Sequence, residues 1–148
     1  MRRHFASMRP NWSGRRWRAI NNIDVIPPIT RCRYCNADVI CVSTLEFYGR
    51  DYGAHVYKCT GCEAYVGTHK GTQIPLGTLA TKELRNLRKQ AHAVFDPVWK
   101  DGHMLRYSAY RRLSEFMGTS RKDTHIAMFN EDQCRRLITG FRKFVFGK

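Results

Sequence analysis

Two Cys-x-x-Cys pairs are the residues of this 148-residue chain with the clearest chemistry. Cys32 and Cys35 form the first pair, Cys59 and Cys62 form the second, and 23 residues separate the two pairs. Four thiolates at this spacing can surround a Zn²⁺ ion in a tetrahedron. Because four protein ligands leave zinc no open coordination position, we expect one structural ion and no substrate site at the metal.

The six cysteines are also an even set that disulfide bonds could pair. Residues 1 to 20 contain six arginines and no apolar run long enough for a secretory signal or a membrane span. We therefore expect a cytoplasmic protein with reduced thiols and no membrane partner. An arginine-rich, acid-free start also fits a mitochondrial transit peptide, although Pro10 and Gly14 would interrupt an amphipathic helix there.

The formal net charge of +14 is unevenly distributed along the chain. Residues 1 to 31 contain seven arginines and one aspartate, which gives +6. Residues 32 to 77 are neutral, with four basic and four acidic side chains, and residues 78 to 148 carry +8. Four thiolates around a dication make the cysteine segment more negative still, so affinity for a polyanion must come from the other two parts.

Residues 1 to 30 show neither strand nor helix periodicity, and we predict that they form an extended basic arm. Aromatic rings between arginines suit stacking on bases together with neutralisation of phosphates. Alternatively, the two tryptophans pack back onto the domain as anchors. The arm residues predicted to bind nucleic acid are Arg2, Arg3, Arg9, Trp12, Arg15, Arg16, Trp17 and Arg18.

The pattern of residues 31 to 77 predicts a zinc ribbon, in which a small sheet positions the four cysteines. Runs rich in β-branched and aromatic residues predict antiparallel strands at 38–43, 55–59 and 64–67, with a loop at 48–53. Gly61 is expected to supply a positive φ in the second cysteine pair. Cys41 lies in an apolar run and is expected to be a buried free thiol.

Helical periodicity replaces the strand pattern in residues 78 to 148 and predicts a module of about three helices, which makes the fold class α+β. Asp96-Pro97 is expected to end the first helix and start a short second one. Gly118 should end the next helix, and Asn130 with Gln133 should begin the last. The basic residues of this module predicted to bind nucleic acid, on faces opposite the apolar stripes, are Arg85, Arg88, Lys89, Arg111 and Arg112.

Several linked segments between residues 32 and 138 form a distinctive set: Tyr57 to His69, Pro75 to Ala80, Ala91 to Trp99, Ala109 to Leu113 and His125 to Phe129. Together they resemble a family of small zinc-finger-containing proteins found in bacteriophages and bacteria. The resemblance implies a fold and a metal more than a specific activity.

Two hypotheses of different classes describe the function. The first is a zinc-binding and nucleic-acid-binding protein, acting on DNA or RNA, which is phage-encoded and regulatory or host-modulating. The second is a protein-docking module that binds a host assembly such as a polymerase or a defence complex. The second hypothesis is retained because a run of charged residues is often only a solvent-exposed face, and because the chain contains no motif that reads a DNA sequence.

A third hypothesis is a histidine-dependent nuclease. It would gather His69, His92, Asp96 and His125 into a hydrolytic centre, and the i, i+4 spacing of His92 and Asp96 puts those two on one helix face. The chain has no H-E-x-x-H motif, carboxylate pair or nucleophile motif. We therefore expect structural roles for these four side chains and no catalysis.

Overall fold

A three-stranded antiparallel sheet organises the first part of the chain that the structure describes. The structure is a computed structural model and describes residues 26 to 147, which divide into two units between Thr81 and Lys82. The strands are β1 (Val39–Ser43), β2 (His55–Cys59) and β3 (Tyr65–Gly67), in the spatial order β1-β2-β3. All three predicted strands are confirmed to within one residue, and with the helices below they confirm the α+β class.

A short helix that the sequence did not predict follows β1 directly. Helix α1 (Thr44–Tyr48) begins after Ser43, whose hydroxyl accepts a hydrogen bond from the N–H of Glu46, and ends at Gly49 with φ of 77°. Five residues are too few to show a helical period. The capping serine and the left-handed glycine define this helix instead, because each satisfies groups at a helix end.

Tyr57 lies at the centre of the first unit and is fully buried. Its hydroxyl donates a 2.6 Å hydrogen bond to the carbonyl of Gln73, on the segment that follows β3. That segment continues along β3, where Tyr65 and Ala80 form an antiparallel bridge. Residues up to 80 therefore pack with the sheet, although the sequence assigned 78 to 80 to the helical module.

Three long helices form the second unit, as predicted: α2 (Lys82–Lys100), α3 (Arg106–Met117) and α4 (Glu131–Phe146). Gly118 ends α3 in the left-handed conformation, and Asn130 and Gln133 form a capping box at the start of α4. Two 3₁₀ turns, Arg121–Asp123 and Ile126–Met128, connect α3 to α4. The buried core of this unit consists of Leu84, Ala91, Phe95, Val98, Ala109, Leu113, Met117, Ile126, Phe129, Cys134, Leu137 and Phe141.

The expected helix break at Asp96-Pro97 is wrong, because α2 continues through Pro97 to Lys100. Proline lacks an N–H and removes one hydrogen bond, but here the loss falls in the last turn of the helix. Phe95 and Val98, both fully buried, hold this turn on the core from either side of the proline. None of the helices within residues 26 to 147 has the length and apolar character needed to cross a membrane.

Candidate metal centre and basic surface

The sheet register brings the two cysteine pairs together. Val39, at the start of β1, lies opposite Cys59, at the end of β2. The cysteine pair before β1 therefore lies beside the pair that begins at the last residue of β2. Thr60 ties the two turns, since its N–H and its hydroxyl both donate to the carbonyl of Asp38, at 3.0 and 2.8 Å. The second pair is also the turn of the β2–β3 hairpin.

The four sulfur atoms form a cluster of the size that a metal ion requires. The Sγ atoms of Cys32, Cys35, Cys59 and Cys62 all lie within 4.8 Å of one another. The Sγ atoms of Cys32 and Cys62 are 3.7 Å apart, and those of Cys35 and Cys59 are 3.3 Å apart. Zinc–sulfur bonds of about 2.3 Å place tetrahedral ligands about 3.8 Å apart, whereas a disulfide is about 2.05 Å long. The cluster suits a four-thiolate ion, and all six cysteines are free thiols.

The two cysteine turns repeat one backbone pattern. In each turn the N–H of the first cysteine donates to the carbonyl five residues later, from Cys32 to Ala37 at 2.9 Å and from Cys59 to Ala64 at 3.0 Å. Each of the four sulfurs also accepts a hydrogen bond from the N–H two residues on. Such donors favour the thiolate form that metals bind. The four donors are Tyr34, Ala37, Gly61 and Ala64.

The thiols of the cluster have unequal proton affinities. Burial acts to raise the pKa of Cys59, but hydrogen bonds from the Gly61 N–H and from Cys35 outweigh it and lower that pKa to about 6. For Cys62 the Ala64 N–H acts to lower the pKa, whereas burial and the neighbouring thiols raise it to about 12. Metal binding must therefore displace protons, so metal affinity should rise with pH.

Gly61 is needed for space and not for its backbone angle. Positive φ occurs instead at Asn36, in the first turn, with φ of 62°, so the expectation for Gly61 is wrong. A Cβ at position 61 would lie 2.8 Å from the Cβ of Ala37 and 3.2 Å from the Sγ of Cys35. Only glycine lets the two turns approach this closely around the ion.

Sequence comparison agrees with this geometry. The profile of a family described as a zinc-finger-containing domain matches residues 28–144. The chain belongs to this family. Neither the curated proteins nor the solved structures give a significant match.

The other two cysteines of this zinc-finger-containing domain stand apart from the cluster. Cys41 is buried in the sheet, where burial raises the pKa of its thiol to about 11, so the prediction of a buried free thiol is confirmed. Burial also raises the pKa of Cys134, in the core of the second unit. Among residues 26 to 147, the four clustered cysteines are the only group of three or more metal-ligating side chains close enough to share an ion.

The predicted nucleic-acid contacts differ in exposure and in their partners. The arm residues, from Arg2 to Arg18, lie outside the residues that the structure describes. Lys89 is exposed and Arg85 is half-buried. Arg111 and Arg112 both pair with the carboxylate of Glu115, at 3.7 and 3.0 Å, which neutralises part of their charge.

Arg88 is not on an exposed face, so that prediction is wrong. Its side chain is 8% exposed, and its Nε and one Nη donate to the carbonyl of Phe129 at 3.1 and 3.0 Å. Phe129 follows the second 3₁₀ turn and directly precedes Asn130, the N-cap of α4. Arg88 therefore joins α2 to the α3–α4 connection and is not available to a phosphate.

The four residues of the hydrolytic hypothesis do not form a metal-holding group within the described residues. His69 lies in the first unit, where burial lowers its pKa. On α2, His92 Nδ1 lies 3.3 Å from a carboxylate oxygen of Asp96, and Lys100 Nζ lies 3.7 Å from the other oxygen. Asp96 is thus an ion-pair partner inside α2 and does not begin a second helix. His125 makes a ring contact with Tyr110 at 6.4 Å.

Proposed function

We propose that this chain is a zinc-stabilised protein that binds nucleic acid, DNA or RNA. The observation that carries the proposal is the separation of charge from the metal centre. Residues 32 to 77 are formally neutral, whereas residues 78 to 148 carry +8. Polyanion affinity comes chiefly from neutralised phosphates. Exposed basic side chains of the second unit that could supply it are Lys82, Lys89, Lys100, Arg106, Arg111, Arg121, Lys122, Arg135, Arg136, Arg142 and Lys143.

In this proposal one Zn²⁺ ion is held by Cys32, Cys35, Cys59 and Cys62 and acts as a structural cross-link. The Sγ cluster and the N–H donors around it support this assignment. Since such a site does not exist in the unfolded chain, the free energy of zinc binding becomes free energy of folding.

Metal analysis of the purified protein tests the zinc assignment. We expect one zinc per chain, with loss of both the metal and the sheet in Cys59→Ser. Cys134→Ser changes a buried thiol outside the cluster and should retain the metal. A purified wild-type protein without zinc, or a Cys59→Ser protein that keeps it, would overturn the assignment.

Binding assays on the zinc-loaded full chain test the nucleic-acid part. Fluorescence anisotropy with labelled single-stranded DNA, single-stranded RNA and duplex DNA should show affinity that falls linearly on a log–log plot against salt. Absence of binding at low salt would contradict the proposal. If the chain binds no nucleic acid but retains a host protein from a nuclease-treated lysate, the result would favour the docking hypothesis.

We further propose that the chain is phage-encoded and acts in the host cytoplasm as a regulatory or host-modulating protein. The sequence segments that resemble a phage and bacterial family support this proposal. Induced expression in a bacterial host should change growth or transcript levels, and Cys59→Ser should abolish the change. Normal growth and unchanged transcripts with the wild-type chain would argue against it.

We propose, finally, that the chain has three parts: a basic arm at 1–30, a zinc ribbon at 31–77 and a helical module at 78–148. The division of the chain into two units between Thr81 and Lys82 supports a boundary in this region. Limited proteolysis with and without zinc tests it. We expect cleavage in the arm under both conditions and cleavage within the ribbon only after zinc is removed.

A further inference from the structure

Five side chains of the second unit form a ladder in which guanidinium groups alternate with aromatic rings. The guanidinium carbon of Arg106 lies 5.3 Å from the ring centroid of Trp99 and 5.0 Å from that of Tyr110. The guanidinium carbon of Arg121 lies 4.8 Å from Tyr110 and 5.8 Å from Tyr107. All four distances fall within the range of about 6 Å for cation–π contacts. We call these five residues the Arg–aromatic ladder.

The ladder is anchored at its middle and open at one end. The ring of Tyr110 packs edge-on against Phe95 at 4.8 Å, and Phe95 is fully buried in the core. Arg106, Tyr107 and Tyr110 all lie on α3, with Arg106 and Tyr110 one turn apart. Tyr107, at the end of the ladder, is 66% exposed. A fixed ring array with an exposed terminal aromatic has the form of a stacking platform.

The two arginines of the ladder lack an acidic partner among residues 26 to 147. Within the described residues, no carboxylate lies at ion-pair distance from Arg106 or Arg121. Arg111 and Arg112, only a few residues away, share Glu115 instead. A guanidinium stacked on a ring keeps its in-plane N–H groups free to bind a phosphate through two hydrogen bonds. The ladder therefore combines uncompensated positive charge with an aromatic surface.

We propose that the Arg–aromatic ladder is a binding site for single-stranded nucleic acid. Arg106 and Arg121 bind successive phosphates, and the exposed ring of Tyr107 stacks on an unpaired base. A duplex offers the phosphates but keeps its bases stacked on one another, so it cannot use Tyr107. This inference rests on the proposed nucleic-acid-binding function and assigns that function to Arg106 and Arg121, which the charge pattern of the sequence does not predict.

Two pairs of charge-matched substitutions test the site. In the full zinc-loaded chain, Arg106→Gln with Arg121→Gln should lower the slope of log affinity against log salt by about 1.4 on single strands, since each phosphate contact contributes about 0.7. Arg50→Gln with Lys70→Gln removes the same charge from two exposed side chains of residues 32 to 77, the formally neutral part of the chain, and should leave the slope nearly unchanged. Oligo-deoxythymidine and oligo-uridine are the probes, and they separate DNA from RNA as the ligand.

Substitution of Tyr107 isolates the stacking contribution. Tyr107→Ala should weaken binding to single strands by about 5- to 150-fold, which corresponds to about 1–3 kcal/mol per stacked base. Its salt slope and its affinity for duplex DNA should not change, because stacking releases no counterions. Tyr107→Phe keeps the ring and should bind as the wild type does. Circular dichroism of each variant confirms that the second unit is folded.

The outcomes separate this inference from the proposed function. If both double variants lose the same slope, or if Tyr107→Ala binds single strands normally, the ladder is not the site although the chain binds nucleic acid. If the wild-type chain binds no nucleic acid, the proposed function fails and this inference fails with it. As a test independent of folding, photocrosslinking to a 5-iodouracil oligonucleotide should label the wild-type peptide that contains Tyr107, and labelling confined to other peptides would overturn the assignment.

Discussion

Gly61→Ala should test how tightly the two cysteine turns pack around the metal. The added Cβ would lie 2.8 Å from the Cβ of Ala37 and 3.2 Å from the Sγ of Cys35, whereas carbon atoms normally approach to about 3.5–4.0 Å. Neither neighbour is a flexible side chain end. Ala37 accepts the N–H of Cys32, and its own N–H bonds to Cys35, so moving it would disturb the ligands themselves.

The expected cost follows from overpacking alone, since the φ of Gly61 is not in the left-handed region. Overpacking of a close-packed site costs about 1–3 kcal/mol. If the cost falls on the zinc-bound form, zinc affinity should decrease by about 5- to 150-fold, at tenfold for each 1.4 kcal/mol. Competition with a chelator of known affinity measures this directly, and thermal unfolding of the zinc-loaded protein should show a lower Tm.

A second substitution and a control make this prediction specific. Ala37→Gly removes the 2.8 Å contact, so it should restore part of the loss in a Gly61→Ala background, and a double-mutant cycle should show that coupling. Gly67→Ala is the control, because a Cβ there would meet only Leu76 at 3.6 Å, an ordinary contact. A Gly61→Ala protein with wild-type zinc affinity and Tm would refute the reasoning.

Four further predictions concern the rest of the chain. Arg88→Met keeps the apolar stem but leaves the Phe129 carbonyl without its charged donor, and chemical denaturation should show a loss of about 1.5–3 kcal/mol; an unchanged midpoint would contradict this role. Because burial lowers the pKa of His69 from its usual 6.5, folding favours the neutral ring. Stability should therefore decrease as the pH falls below 6.5, and less so in His69→Gln; parallel pH profiles would count against it. Deletion of residues 1–28 should leave the unfolding transition intact and reduce the duplex salt slope by about 3–5, if three to six arm arginines contact phosphates. His92→Asn should lower the Tm and leave any nuclease activity measured per folded protein unchanged. A variant that stays folded but loses nuclease activity would support the hydrolytic hypothesis.

The sheet and its cysteines could be predicted because local patterns determine them. The strands are marked by β-branched and aromatic runs, and Cys-x-x-Cys spacing fixes two turns of the same kind. Helix α1 could not be predicted in the same way, because five residues are too few to show a period. The role of Gly61 depends on Ala37, which lies 24 positions earlier, and no local pattern reports such an approach.

Helix boundaries were predictable where a cap decided them. The Asn130 and Gln133 capping box and the left-handed Gly118 both act through hydrogen bonds within a few residues. Asp96-Pro97 carries an equally clear local signal for a break, yet α2 continues. There the burial of Phe95 and Val98 outweighs one lost hydrogen bond in the last turn. Tertiary packing, which the local sequence does not reveal, decided that boundary.

The arginines show most clearly why charge patterning identifies a candidate surface and not the contacts within it. In sequence, Arg88, Arg106 and Arg112 are equivalent basic residues of amphipathic helices. In the structure Arg88 is buried on a carbonyl and Arg112 pairs with a carboxylate. Arg106 stacks on two rings and has no acid partner in the part of the chain that the structure describes. The first is committed to the fold and the second is partly neutralised, so the third kind has the most charge left for a phosphate. The salt slope of this protein should accordingly depend on which arginines are removed and not on how many.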